Sequence, residues 1–320
     1  MPPPLLPRAV HGGPQSADEA ILDFSVNANP LGPNPELVRI WREADVSGYP
    51  DPHYRRARKA LAAFHGCSPE GVVPGIGASE LLHRIVRAFV SPGDLVVSLG
   101  APFGEFARAA ALHGARLEVA ARDLMAAPTD ARLVYLSNPH NPTGHCLDLR
   151  TLPPKPLFIV DEAYRPFVEH RDEPPLHPNL IRLQSPGKAH GVLGMRLAYA
   201  LADPDIAAHL TNLEPAWAFP SAHAAALAAL PEQTRFLEDT LPTVRQWANE
   251  LASALGAAST GLHFFTLNVP DAGRVAADLL RHGLRVRDCT SFGHPNLIRV
   301  ATRRPEDNQI LIEVWKELYG

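Results

Sequence analysis

Between residues 94 and 201 one pattern recurs: a short, largely apolar run bounded by turn residues. The runs are Asp94–Leu99, Arg116–Ala120, Leu133–Leu136, Leu157–Val160, Leu180–Leu183 and Leu197–Leu201. Most are continuous rather than alternating, so both faces of each strand should be covered. That is the signature of a largely parallel sheet between helices. Apolar residues at helical spacing over His53–His65, Ser79–Val90 and Glu105–His113 supply covering helices. The 33 prolines and 22 glycines punctuate the chain densely, and there is no internal repeat.

After residue 203 the texture changes. Asp205–Leu213, Ala222–Leu230 and Glu232–Leu255 read as helices. His263–Val269, Leu284–Arg287 and Leu297–Ala301 read as strands, with helices over Gly273–His282 and Glu306–Leu318. The expected class is α/β, with a large domain followed by a smaller C-terminal α+β domain. Three segments are expected: an N-terminal extended segment over 1–45 packing with the small domain, a large domain over 46–230, and the small domain over 231–320. Residues 1–20 read as an extended lead-in, Ile21–Ser25 as a short apolar piece, and Asn27–Pro35 and Pro74–Ser79 as loops rich in turn residues.

With a net charge of −4 and a pI of about 6.4, no basic field exists to hold nucleic acid or an anionic membrane. Cys67, Cys146 and Cys289 are far apart and odd in number, so neither a disulfide framework nor a metal site is expected. A reducing cytoplasm suits them. Met1–Arg8 is broken by prolines and lacks the apolar core of a secretory signal. No apolar run reaches the roughly 18 residues needed to span a bilayer.

The chain has only four lysines: Lys59, Lys155, Lys188 and Lys316. One lies in Ser185-Pro-Gly-Lys188-Ala-His190-Gly191-Val-Leu-Gly194-Met-Arg196, with a hydroxyl three residues before it and a guanidinium eight after. Those neighbours suit an enzyme that holds a phosphate while the lysine bonds to a carbonyl, which points to pyridoxal phosphate. A solvated surface charge is the bland alternative for a single lysine, and other segments weigh against it. Ser137-Asn138-Pro139-His140-Asn141-Pro142-Thr143-Gly144 follows one strand, and Asp161-Glu162-Ala163-Tyr164 ends another. A carboxylate at the carboxyl end of a buried strand is well placed for a ligand. Gly75-Ile-Gly77-Ala78-Ser79 opens a helix, whose free N–H groups suit an anion. The third glycine of a dinucleotide fingerprint is missing there, since Glu80 takes its place.

Together these segments resemble the fold-type I (class I and II) aminotransferases, in matching order over roughly residues 11 to 319. The resemblance implies a role for each residue. Lys188 would carry pyridoxal phosphate. Gly77, Ala78, Ser79, Ser185 and Arg196 would hold its phosphate. Asp161 would pair with the ring nitrogen, and Asn141 and Tyr164 with the phenolic oxygen. Phe103 would stack on the ring, with core packing the alternative for it and for Phe106. Tyr49, in Gly48-Tyr49-Pro50-Asp51-Pro52, would reach the cofactor of a second subunit, implying a homodimer with composite sites. Arg299 would grip an acidic group of a small amino substrate, with Arg287, Asn29 and Gly13 nearby.

His11-Gly12-Gly13, Asp23-Phe24-Ser25-Val26-Asn27-Ala-Asn29-Pro30 and Arg287-Asp-Cys-Thr-Ser-Phe narrow the branch. They resemble histidinol-phosphate aminotransferases and the similar threonine-phosphate decarboxylases of cobalamin synthesis. His-Gly-Gly and Arg-Asp-Cys-Thr-Ser-Phe lean to the decarboxylases. Transamination is favoured as the commoner activity of the fold. Pro186 and His190 depart from the relatives' residues. Two other classes compete. Ser185-x-x-Lys188 also fits the penicillin-recognising acylases, but their Ser-Asp-Asn and Lys-Thr-Gly partners do not occur. A non-catalytic protein of the same fold would not need Lys188, Asp161, Tyr164, Asn141 and Arg196 together.

Overall fold

The computed structural model describes residues 4–9, 12–13, 22–169 and 177–320. His11, Ile21 and most of the expected lead-in lie outside the described residues. In chain order the elements begin with β1 (Leu22–Asp23), α1 (Pro35–Glu43), α2 (Arg55–His65), β2 (Val72–Ile76), α3 (Ala78–Phe89), β3 (Leu95–Leu99), α4 (Gly104–Leu112) and β4 (Arg116–Ala120). β5 (Leu133–Ser137), β6 (Leu157–Asp161), β7 (Leu180–Gln184) and β8 (Leu197–Leu201) follow, then α5 (Pro204–Asn212), α6 (Ser221–Ala229) and α7 (Thr234–Ala254). The chain ends with β9 (Phe264–Asn268), α8 (Ala272–Arg281), β10 (Leu284–Arg285), β11 (Arg287–Asp288), β12 (Leu297–Ala301) and α9 (Pro305–Tyr319).

Seven strands form the main sheet in the order β2-β8-β7-β6-β5-β3-β4. β3, β4, β5, β6 and β7 pair in parallel, while β8 pairs antiparallel with both β7 and β2. β8 is therefore the one reversed strand of this sheet. β5, β7 and β8 are buried along their whole length, as their continuous apolar runs require. One face packs Leu81, Leu82 and Ile85 of α3 and Phe106 of α4 against Tyr135, Ile159 and Ile181. A separate sheet, β11-β12-β9, packs its own apolar cluster against α7, α8 and α9. β1 pairs in parallel with β10, and Phe24 joins that second cluster.

Two elements differ from the sequence expectation. Val72–Ile76 is a strand where a loop was expected over Pro74–Ser79. It lies at the sheet edge, where a proline with no N–H is tolerated. Gly75 belongs there because a Cβ would lie 2.4 Å from Leu81 of α3. Pro35–Glu43 is helical where the extended reading of residues 1–45 expected no helix. Asn34 caps it, its Oδ1 accepting from the N–H groups of Glu36 and Leu37 at 3.0 and 3.3 Å, with Pro35 in the first turn. Such a cap is worth about 1 kcal/mol. Leu37 is buried with residues of α2 and α6. The strand expected over Leu284–Arg287 divides at Val286 into β10 and β11, which join different sheets.

Candidate active site

After β3 the chain moves outward to β4, then returns to place β5 on the other side of β3. Strand order reverses there, and ligands of α/β sheets bind beyond the carboxyl ends of strands at such a point. A cavity of about 380 Å³ lies over this edge. Turns after β2, β3, β5, β6 and β7 supply Gly77–Ser79, Phe103, Asn141, Asp161 with Tyr164, and Ser185 with Lys188. Gly13, Arg196, Arg287 and Arg299 complete the expected residues that line it.

Lys188 sits in a tight turn after β7. Its N–H donates to Ser185 O at 3.3 Å, and Val192 N–H donates to Gly187 O at 2.9 Å. The ammonium Nζ lies 5.4 Å from the centre of the Tyr164 ring. The Asn27–Pro35 loop braces this turn from outside. Asn29 N–H donates to Lys188 O at 2.9 Å, and Asn29 Nδ2 donates to Ala189 O at 2.9 Å and to Thr240 Oγ1 at 2.9 Å. Asn29 Oδ1 accepts from Leu31 N–H at 2.9 Å. Asn29, expected near the substrate, is not among the residues lining the cavity, and its amide is engaged in holding the lysine turn.

Asp161 is buried at the end of β6. Its Oδ1 accepts from Ala163 N–H at 3.0 Å and its Oδ2 from the Tyr135 hydroxyl at 3.1 Å. Burial pushes this carboxyl up from its ordinary range, while Lys188 and both hydrogen bonds pull it back.

At one end of the cavity the structure can hold an anion. Gly77 starts α3 with φ +87° and no side-chain cap. A Cβ at Gly77 would stand 2.4 Å from Arg196 Nη2, so only glycine lets the guanidinium lie against the bare helix start. Arg196 itself is left-handed, at φ 55°. Helix N–H groups, a guanidinium and the Ser79 and Ser185 hydroxyls are good phosphate donors.

Arg299 of β12 also lines the cavity and is buried. Its Nη1 donates to Asn141 Oδ1 at 2.5 Å and its Nη2 to Ser25 O at 2.5 Å, while Nε has no partner among the described residues. Arg287 Nη2 donates to Ser291 Oγ at 2.8 Å, and its guanidinium lies 5.0 Å from the Phe292 ring centre. Gly13 N–H donates to Ser25 Oγ at 2.9 Å. Sequence reasoning missed Asn27. Its carboxamide lines the cavity, is buried, and has no partner for Nδ2 or Oδ1 among the described residues. Two asparagines two apart in one loop were the available signal, but spacing did not say which one faces inward.

Other expectations fall outside the cavity. Tyr49 is 82% exposed and stacks on Trp217, with ring centres 4.7 Å apart. On its own chain it does not reach the cavity. His190 is buried against Asn34 and Phe236, with Nδ1 3.2 Å from Asn34 Nδ2, so neither it nor Pro186 lines the site. Phe106 is in the core and stacks on Tyr135.

Residues 19–314 match the family model described as aminotransferase class I and II. The chain belongs to the class I and II aminotransferase family. It is 34% identical to a histidinol-phosphate aminotransferase of Symbiobacterium thermophilum, over 94% of this chain and 91% of that one. The structure of histidinol-phosphate aminotransferase from Sinorhizobium meliloti in complex with pyridoxal-5'-phosphate superposes with a TM-score of 0.82. It is 27% identical, covering 92% of this chain and 90% of that one. L-threonine-O-3-phosphate decarboxylase from Porphyromonas gingivalis shares the fold, with a TM-score of 0.81 at 20% identity over 92% of this chain and 98% of that one.

Members of this family use pyridoxal phosphate, and this chain is an enzyme of that transferase class. Its site fits the cofactor: a cradle at Gly77 that a Cβ would fill, a buried carboxylate, and a lysine amine line the same cavity. Among the described residues no helix is long and apolar enough to cross a membrane.

Proposed function

We propose that this enzyme transaminates a small amine or amino acid that carries a phosphate, with histidinol phosphate as the first substrate to test. The carrying observation is one cavity whose lining brings together Gly77–Ser79, Ser185 and Arg196, a second basic group of Arg287 and Arg299, and Lys188. Gly77–Ser79, Ser185 and Arg196 would bind the cofactor phosphate, and Asp161 would face the ring nitrogen. Asn141 and Tyr164 would hold the phenolic oxygen, and Phe103 would cover the ring. When bound, pyridoxal phosphate supplies the electron sink for a carbanion. Lys188 would be the residue linked to it and would move the substrate α-proton as general base. Arg299, Arg287 and Asn27 would orient the substrate's acidic group, Arg299 with a guanidinium that Asn141 and Ser25 already hold in place. We further propose a cytoplasmic homodimer in which Tyr49 completes the partner's site.

A second reading, decarboxylation of threonine phosphate, is favoured by Gly12 and Gly13 lining the cavity beside Asn27. The experiment is to reconstitute the protein with pyridoxal phosphate and add histidinol phosphate, then threonine phosphate. A yellow protein that turns histidinol phosphate into a ketone supports the first reading, and carbon dioxide from threonine phosphate supports the second. A protein that cannot be made yellow, or a Lys188→Ala variant that keeps the covalent chromophore, sinks both.

A further inference from the structure

Tyr135 has a polar atom that core packing does not explain. It sits in the middle of β5 and is 1% exposed, surrounded by apolar residues of the main core cluster. Its ring stacks on fully buried Phe106, with centres 4.7 Å apart and planes 17° apart. A phenyl ring would fill that place equally well. The hydroxyl reaches the cavity floor instead, where it donates to Asp161 Oδ2 at 3.1 Å.

We infer that Tyr135 is a positioning residue for Asp161: its hydroxyl fixes the Oδ2 oxygen so that the carboxylate presents one orientation, ionised, to a cationic ring nitrogen. This rests on the pyridoxal phosphate reading above. Ala163 N–H on Oδ1 and Tyr135 O–H on Oδ2 together remove the carboxylate's freedom to rotate. The phenol remains the donor, because burial and the neighbouring Asp161 charge push it well above its ordinary range. The titratable groups facing the pair are Lys188 from the turn after β7 and Tyr164 from the turn after β6. A hydrogen bond to a charged group inside a protein is among the stronger ones, so its loss should be visible.

The test is Tyr135→Phe, which keeps the ring stack and removes one oxygen, with Phe106→Leu as a packing control and Asp161→Asn as the positive control. In apoprotein, carboxyl carbon NMR follows the titration of Asp161. In holoprotein, the dissociation constant for pyridoxal phosphate is measured. For Tyr135→Phe the Asp161 midpoint should rise and the dissociation constant should increase about tenfold. Phe106→Leu should lower the melting temperature and leave the midpoint in place. If either the midpoint or the dissociation constant is unmoved in Tyr135→Phe, the assignment is overturned. A wild type that takes up no cofactor defeats the pyridoxal phosphate reading itself, whereas a wild type that binds it beside an unchanged Tyr135→Phe defeats only the role of Tyr135.

Discussion

His263 holds an imidazole where a phenyl ring would suffice. It is fully buried and stacks on Phe167 with ring centres 3.5 Å apart, and neither ring nitrogen has a partner among the described residues. Burial holds its pKa down at about 3, against an ordinary 6.5. The unfolded chain therefore takes up a proton near pH 6.5 that the folded chain refuses until about pH 3. The sign follows: stability is full above 6.5 and falls as the solution is acidified, by about 1.4 kcal/mol per pH unit from this group. His140 and His190, held down at about 3 and about 4, act in the same direction. His263→Phe should therefore lose less stability than wild type between pH 7 and pH 5, as read by urea unfolding. Parallel loss in both proteins would refute the account. At this scale Lys188, Asp161, Asn141, Tyr164 and Arg196, which line the cavity, were legible because each stands in a local motif. Tyr135 and Asn27 escaped because their significance lies in a partner 26 residues away and in the lack of one, respectively.

Among the elements, the Asn27–Pro35 loop and the Lys188 turn come together backbone to backbone at Gly32 and Gly191. A Cβ on Gly32 would stand 2.6 Å from Gly191 Cα and 2.9 Å from His190 O. Neither neighbour is a flexible side-chain tip, so Gly32→Ala must push the two segments apart. Such overpacking costs about 1–3 kcal/mol, and here it also shifts the turn that carries Lys188. The variant should show a lower urea midpoint and weaker retention of cofactor on gel filtration, and normal retention would mean that the turn does not depend on this brace. Strands with mostly apolar runs, such as β5 and β8, were legible because burial on both faces favours apolar residues along their length. β2 was not, since Pro74 and Gly75 argue for a turn, and only pairing with β8 and close packing of Leu81 on Gly75 make them strand.

For the whole molecule, Tyr49 and Trp217 form an exposed aromatic pair on one face. Trp217 adopts φ 55°, a region that bulky residues rarely occupy, and it is 49% exposed. Its segment is anchored: Phe219 N–H donates to the Tyr54 hydroxyl at 2.9 Å, and Glu214 pairs with Arg84 at 2.7 Å. If this face meets a second copy, sedimentation should give a dimer, and Tyr49→Phe should weaken cofactor binding severalfold in that dimer. A monomer with full activity would rule out composite sites.

By itself the sequence determined the α/β class, the covered, mainly parallel sheet and the motifs whose residues line one cavity. Those follow from periodicity, burial and motifs, all of which are local. The tertiary structure alone decided which of Asn27 and Asn29 faces the cavity, that β2 joins the sheet, and that a core tyrosine meets Asp161. Each of those depends on contacts between segments distant in the chain, and no local spacing carries that information.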